Sequence, residues 1–157
     1  MTGEKKREYT LRIAQANKSQ MVVIIYEMLK DYIEDAREYL GKADAEGFHE
    51  SIRRCTGCVR ELTSSINMES DVSTNLMSLY IYCMRELSMA DLHHSAEELY
   101  HVEIVINKLY AVSKQVAEAD DSPAIMKNTP LVYAGLTYGK ESLVVNLNNN
   151  MNRGYTV

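Results

Sequence analysis

Two Glu-x-x-His motifs are the residues of this chain whose types and spacing could bind a metal. A glutamate and a histidine three residues apart on a helix place an oxygen and a nitrogen ligand on one face, as in di-iron sites of helical bundles. Such a site also needs glutamates from the two remaining helices. The candidate ligands are Glu46 with His49, Glu98 with His101, and Glu38 and Glu86 as partners.

The apolar residues beside these motifs argue against a metal site that faces inward. The core series passes through Phe48 and Ile52 at the first motif, and through Leu99 and Val102 at the second. The glutamates and histidines therefore lie next to the core face, where polar side chains usually reach the surface. We expect surface or capping roles for them and no cofactor, with a di-iron-like metal protein as the alternative.

Three cysteines raise the question of redox or zinc chemistry. Cys55 and Cys58 form a CxxC pair, and Cys83 is the third. A redox pair needs a helix N-terminus that lowers the thiol pKa, and structural zinc needs four ligands, whereas this pair lies inside a helical pattern. We therefore predict reduced, core-filling cysteines of an intracellular protein. Since the sequence also has no phosphate-binding loop or nucleophile elbow, we expect no enzymatic activity.

The elements that would position these residues are four helices, indicated by apolar residues at spacings of three and four. The periodic segments are residues 18–42, 44–66, 71–91 and 95–118. Because the turns between them are short, consecutive helices should run antiparallel, which predicts an all-α, up-down four-helix bundle. The predicted N-cap residues are Asn17, with Gln20 at capping-box spacing, Asp44, Ser70 or Asp71, and Ser95, with Glu98 at the same spacing.

Length and composition predict one domain with two flanking segments. A chain of 157 residues with 46% hydrophobic residues can bury a single core. The net charge of −5 without a basic face argues against nucleic-acid binding, and no apolar run is long enough for a membrane span or a secretion signal. We predict a cytosolic protein with an N-terminal arm (1–17), a bundle domain (18–119) and an extended, partly disordered C-terminal tail (120–157).

Two helical stretches, residues 21–29 and 76–84, are apolar over more of their circumference than one core face requires. A helix with so wide an apolar arc is either deeply buried or offers a groove to another helix. Tyrosine and methionine, which are frequent here, suit surfaces that adapt to a partner. The predicted groove consists of Met21, Ile24, Met28, Tyr80, Ile81 and Met84, with Tyr26 and Tyr82 at its margins.

A series of short features, in this order and spacing, resembles the FliS family of flagellin export chaperones. The resemblance covers about residues 9–118. It is carried by Tyr9, by Gln15-Ala16-Asn17 before the first long helix, by an apolar run ending at Tyr26, by Asp44, and by Asn75-Leu76 followed by Leu79-Tyr80-Ile81-Tyr82.

The resemblance implies a non-enzymatic, cytosolic chaperone that binds the C-terminal segment of flagellin, prevents premature polymerisation and delivers it to the flagellar export apparatus. Spare apolar rows on a bundle could cover the amphipathic helices of such a client before assembly. By the same resemblance, Tyr9 in the N-terminal arm is expected to pack on the client surface when the client is absent. Residues 143–147 of the tail could do the same. A generic helical adaptor remains a further alternative.

Overall fold

The computed structural model describes residues 1–126, which contain five helices and no strand. The all-α prediction is therefore confirmed for this part of the chain, and the predicted tail segment 143–147 lies outside it. Within the described residues, no helix is both long and apolar enough to span a bilayer. The helices are α1 (Gly3–Gln15), α2 (Lys18–Gly41), α3 (Ala45–Ser64), α4 (Ser73–His93) and α5 (Ala96–Glu118).

Local side-chain caps set the start of α2, α3 and α5. Asn17 and Gln20 form a reciprocal capping box, in which each side chain accepts a hydrogen bond from the other residue's backbone N–H, at 2.8 and 3.0 Å. The side chains of Asp44 and Ser95 accept from backbone N–H groups in the first turns of α3 and α5. These three predicted N-caps are confirmed.

The start of α4 differs from its prediction. Its N-cap residue is Val72, whose side chain makes no cap hydrogen bond. Ser70 lies earlier, in a turn where its carbonyl accepts from the N–H of Ser73 at 3.0 Å. The prediction that Ser70 or Asp71 caps this helix is therefore wrong, because the turn places the helix start beyond both side chains.

Four helices, α2 to α5, form a closed ring around one core. α2 contacts α3 and α5, and α4 contacts the same two helices. Each helix turns its apolar stripe inward, which removes the large aliphatic and aromatic side chains from water. The antiparallel, up-down order of the four remains a prediction. The buried core side chains include Leu29, Ile33, Phe48, Val59, Leu62, Leu87, Leu99, Val102 and Ile106.

The segment predicted as an N-terminal arm is largely helical and lies outside the ring, against α2. Its buried contact is Tyr9 against Ile24 of α2. The Tyr9 hydroxyl donates to the Asp31 carboxylate at 2.7 Å, and Arg12 pairs with Glu27 at 2.6 Å. These partners lie 15 to 22 residues away in sequence, so no local pattern predicts how α1 docks.

Candidate functional site

An open apolar groove lies where α2, α4 and α5 meet beside the end of α3, and we call it the α4–α5 groove. Its volume is about 470 Å³. The buried rings of Tyr26 and Tyr80 line its inner side, whereas Val72 and Val112 on its rim are 62% and 59% exposed. Exposed apolar surface of this kind often marks a binding site. The other apolar lining residues are Val22, Ile66, Leu76, Leu79 and Leu109.

Tyr26 and Tyr80 join α2 to α4 across the core. Their hydroxyl oxygens lie 2.5 Å apart and share a hydrogen bond. Burial raises the pKa of both phenols, so both remain neutral at physiological pH. The two hydroxyl groups are hydrogen-bonded to each other, so the inner side of the groove suits an apolar ligand. A neutral phenol of this kind does not act as a general base.

The predicted groove residues do not form one surface. Met21, Ile24 and Met28 lie on the side of α2 that faces α1, next to Tyr9. Met21 and Met28 also line a second groove, of about 500 Å³, between α1, α2 and α3. This second site is the α1–α3 groove, and it is separate from the α4–α5 groove that contains the predicted Tyr26 and Tyr80.

The remaining predicted residues lie on α4. Ile81 is 62% exposed, and Tyr82 and Met84 are partly buried against the main core. None of the three lines the α4–α5 groove among the described residues. Within the ring, α2 and α4 lie diagonally, because each packs on α3 and α5. The Met21 row and the Ile81 row therefore face different parts of the surface.

Sequence reasoning missed the rim of the α4–α5 groove. Val72, Leu76 and Leu79 follow the apolar periodicity of α4, and this periodicity predicts a core face rather than a binding site. In the structure the apolar stripe of α4 extends beyond the buried core at the start of the helix. There these three side chains line the mouth of the groove. For Val112 of α5, the sequence shows no pattern that predicts a position on the groove rim.

The three cysteines are buried free thiols, as predicted. Burial raises the pKa of Cys58 and of Cys83 to about 12, and that of Cys55 well above its ordinary value. These thiols are therefore protonated at neutral pH and poorly suited to nucleophilic or redox chemistry.

Three residues of the two Glu-x-x-His motifs, His49, Glu98 and His101, make separate side-chain contacts. His101 lies 2.8 Å from the Glu86 carboxylate, and Glu98 lies 3.0 Å from His93. His49 pairs with another acidic residue of α4, Asp91, at 2.8 Å. Within residues 1–126, no three acidic, histidine or cysteine side chains are grouped so that they could hold a metal ion. These contacts instead join α3 to α4 and α4 to α5.

The Glu98 pair makes stability depend on acid pH. Hydrogen bonds from Ser95 and His93 lower the pKa of Glu98 from 4.5 to about 2. A lowered folded-state pKa means that the contribution of Glu98 to the free energy of unfolding is complete above pH 4.5 and is lost as the pH falls towards 2. We therefore expect Glu98→Gln to destabilise the protein at neutral pH and to reduce its loss of stability over this acid range.

Urea unfolding at a series of pH values measures this effect. Glu97→Gln is the matched control, because Glu97 is an exposed glutamate in the same turn of α5. It should leave the pH dependence of the unfolding free energy as in the unmodified chain. An unchanged pH dependence in Glu98→Gln as well would contradict the prediction.

Within the described residues, a ring of helices that presents an open apolar groove is an arrangement typical of surfaces that accept an amphipathic helix. A family model described as flagellar protein FliS matches residues 2–120. This match covers most of the chain, which belongs to the FliS family, a family of flagellar export chaperones and not of enzymes. The family resemblance noted from the sequence is thereby confirmed. A comparison with curated protein sequences gives no match.

Proposed function

We propose that this protein is a cytosolic chaperone that binds the C-terminal segment of flagellin, prevents its premature polymerisation and delivers it to the flagellar export apparatus. The observation that carries the proposal is the α4–α5 groove, whose apolar rim is exposed in the free chain. An amphipathic helix can place side chains spaced by three and four residues into such a groove. The ring of contacts and the short turns support an up-down bundle as its scaffold.

The client must make contacts beyond this single groove. A segment that folds on binding loses conformational entropy, which consumes several kcal/mol of the gross interaction. A groove of about 470 Å³ accepts only a few large side chains. Val116, 55% exposed and one turn beyond Val112, extends the apolar rim along α5. We expect the client to continue from the groove onto further apolar surface, including the row of Met21, Ile24 and Met28 beneath α1.

Titration calorimetry of the full chain against a synthetic C-terminal segment of flagellin from the same cell tests the proposal. We expect saturable one-to-one binding, and no binding of a peptide with the same composition in scrambled order. Absence of heat and of a complex would overturn the proposed function.

Met84→Glu tests the surface predicted on α4, because Met84 lies outside the α4–α5 groove. This variant should bind the segment as the unmodified chain does.

We also propose that α1 covers part of the client surface when no client is bound. Tyr9 is buried against Ile24, in the row that contains Met21 and Met28. A helix of 13 residues has little stability of its own, so α1 can leave this row at modest cost. On this view α1 and the client compete for the same side of α2.

Tyr9→Ala should therefore tighten client binding, by about three- to tenfold, because it removes the main apolar contact of α1 and a hydrogen bond to Asp31. Titration with the flagellin segment measures the change. Arg7→Ala, at an exposed position of the same helix, is the control and should leave the affinity unaltered. If Tyr9→Ala also leaves it unaltered, α1 does not compete with the client.

A further inference from the structure

The chain that follows α5 returns to the junction between α1 and α2. The side-chain amide of Asn17 donates to the carbonyl oxygens of Asp120 and Ser122, at 2.9 and 3.2 Å. The hydroxyl of Ser19 donates to the Asp120 carboxylate at 2.5 Å. These contacts join residues more than 100 positions apart in sequence. We call residues 120–125 the C-terminal latch.

A backbone hydrogen bond closes the far end of the latch. The N–H of Ile125 donates to the carbonyl of Ala16 at 3.0 Å. Ala16 and Asn17 are the two extended residues between α1 and α2, and both are 2% exposed. The latch therefore binds the one stretch of backbone about which α1 would swing away from α2.

Asn17 connects three parts of the molecule through one side chain. Its Oδ1 atom accepts from the N–H of Gln20 and caps α2, while its Nδ2 atom donates to the latch. A side chain fixed in both ways cannot rotate to follow a moving junction. Residues 120 and 122 of the latch therefore fix the orientation of Asn17 and of the junction between α1 and α2.

The direct hold of α2 on α1 is limited. Besides the cluster around Tyr9, which includes Ile13, the contacts are the pair between the Met1 ammonium and Asp35 and two pairs with exposed basic side chains, Lys5 with Asp31 and Arg12 with Glu27. Exposed ion pairs contribute little, and a short helix unfolds readily when it is undocked. Fixing the junction restricts the positions that α1 can reach, which favours the docked state through conformational entropy.

We propose that the C-terminal latch controls the docking of α1: while residues 120–125 are bound to the junction, α1 stays on α2, and their release frees α1. The latching does not depend on any client. Its consequence for binding rests on the proposed function, since releasing the latch would expose the Met21 row to flagellin. A contact with the C-terminal side of the domain could in this way be transmitted to the N-terminal helix.

Hydrogen exchange of the full chain, followed by mass spectrometry, tests the latch. Ser19→Ala and Asp120→Ala each remove the hydrogen bond to the Asp120 carboxylate, and each should accelerate exchange of residues 3–15 by about tenfold. Exchange in α3 and α5 should stay unchanged. Asp121→Ala is the matched control, because this neighbouring acidic residue is exposed. It should leave exchange in α1 as it is in the unmodified chain.

Two results would overturn the proposal. One is unchanged α1 exchange in both variants, and the other is equal acceleration in all five helices, which would indicate general destabilisation. Calorimetry of the same variants with the flagellin segment separates the two proposals. If α1 exchanges faster in the variants but no protein binds the flagellin segment, the latch is supported and the proposed client is rejected. If the segment binds but α1 exchange is unchanged, the proposed client is supported and the latch is rejected.

Discussion

Val112→Glu is expected to weaken binding of the flagellin C-terminal segment at least about tenfold, or 1.4 kcal/mol. Val112 lies on the rim of the α4–α5 groove and is 59% exposed, so the free protein should tolerate the carboxylate. A bound apolar helix would cover the charge and remove it from water without providing a partner. Calorimetric titration of the variant and the unmodified chain measures the difference.

Ile104→Glu is the matched control for this prediction. Ile104 is also an exposed, β-branched residue of α5, but it does not line the groove. The control variant should bind with the affinity of the unmodified chain, and thermal unfolding verifies that both variants are folded. Equal affinities of the two variants for the flagellin segment would show that the client does not bind in the α4–α5 groove. A loss confined to Met84→Glu would favour the surface predicted on α4.

Tyr80→Ala is expected to lower the free energy of unfolding by about 3–5 kcal/mol. The ring is 2% exposed, so its removal leaves a cavity between α2 and α4. The variant also loses the hydrogen bond between the hydroxyls of Tyr80 and Tyr26. Urea unfolding, with identical slopes against denaturant concentration, would give the difference directly.

Two variants separate the contributions of the ring and the hydroxyl. Tyr80→Phe keeps the ring and should cost about 1–2 kcal/mol, the usual effect of one buried hydrogen bond. Tyr100→Ala removes a tyrosine that is 58% exposed on α5 and should change stability by no more than about 0.5 kcal/mol. If Tyr80→Ala costs no more than Tyr100→Ala, the buried tyrosine pair does not stabilise the core.

The helices were predictable where the decisive interactions are local. Asn17 and Gln20 lie three residues apart and cap α2 as their spacing predicts. Asp44 and Ser95 act over equally short distances. α1 also has a local cap, because the Thr2 side chain accepts from the N–H of Lys5, but its docking depends on residues of the next helix such as Asp31.

The residues that line the α4–α5 groove were predictable from the sequence only in part. The excess of apolar residues on two helices predicts a groove, and two of the residues named for it, Tyr26 and Tyr80, line the α4–α5 groove. Their meeting across 54 residues of sequence depends on how the ring closes, which periodicity does not specify. The rotation of each helix likewise decides that Met21 faces α1 and that Ile81 faces solvent.

The missing side-chain cap of α4 gives one wall of the α4–α5 groove a distinct mechanical property. Among the five described helices, only α4 starts without a side-chain cap hydrogen bond, an interaction that typically contributes about 1 kcal/mol. Its first turn, which carries Ser73, Asn75 and Leu76, therefore frays more readily than the starts of the other helices. Unwinding of this one turn would reshape the groove mouth, whereas the buried Leu87 and Ala90 would keep the rest of α4 in place. On the proposed function, this edge of the groove would adjust to client side chains of different size while the core stays folded.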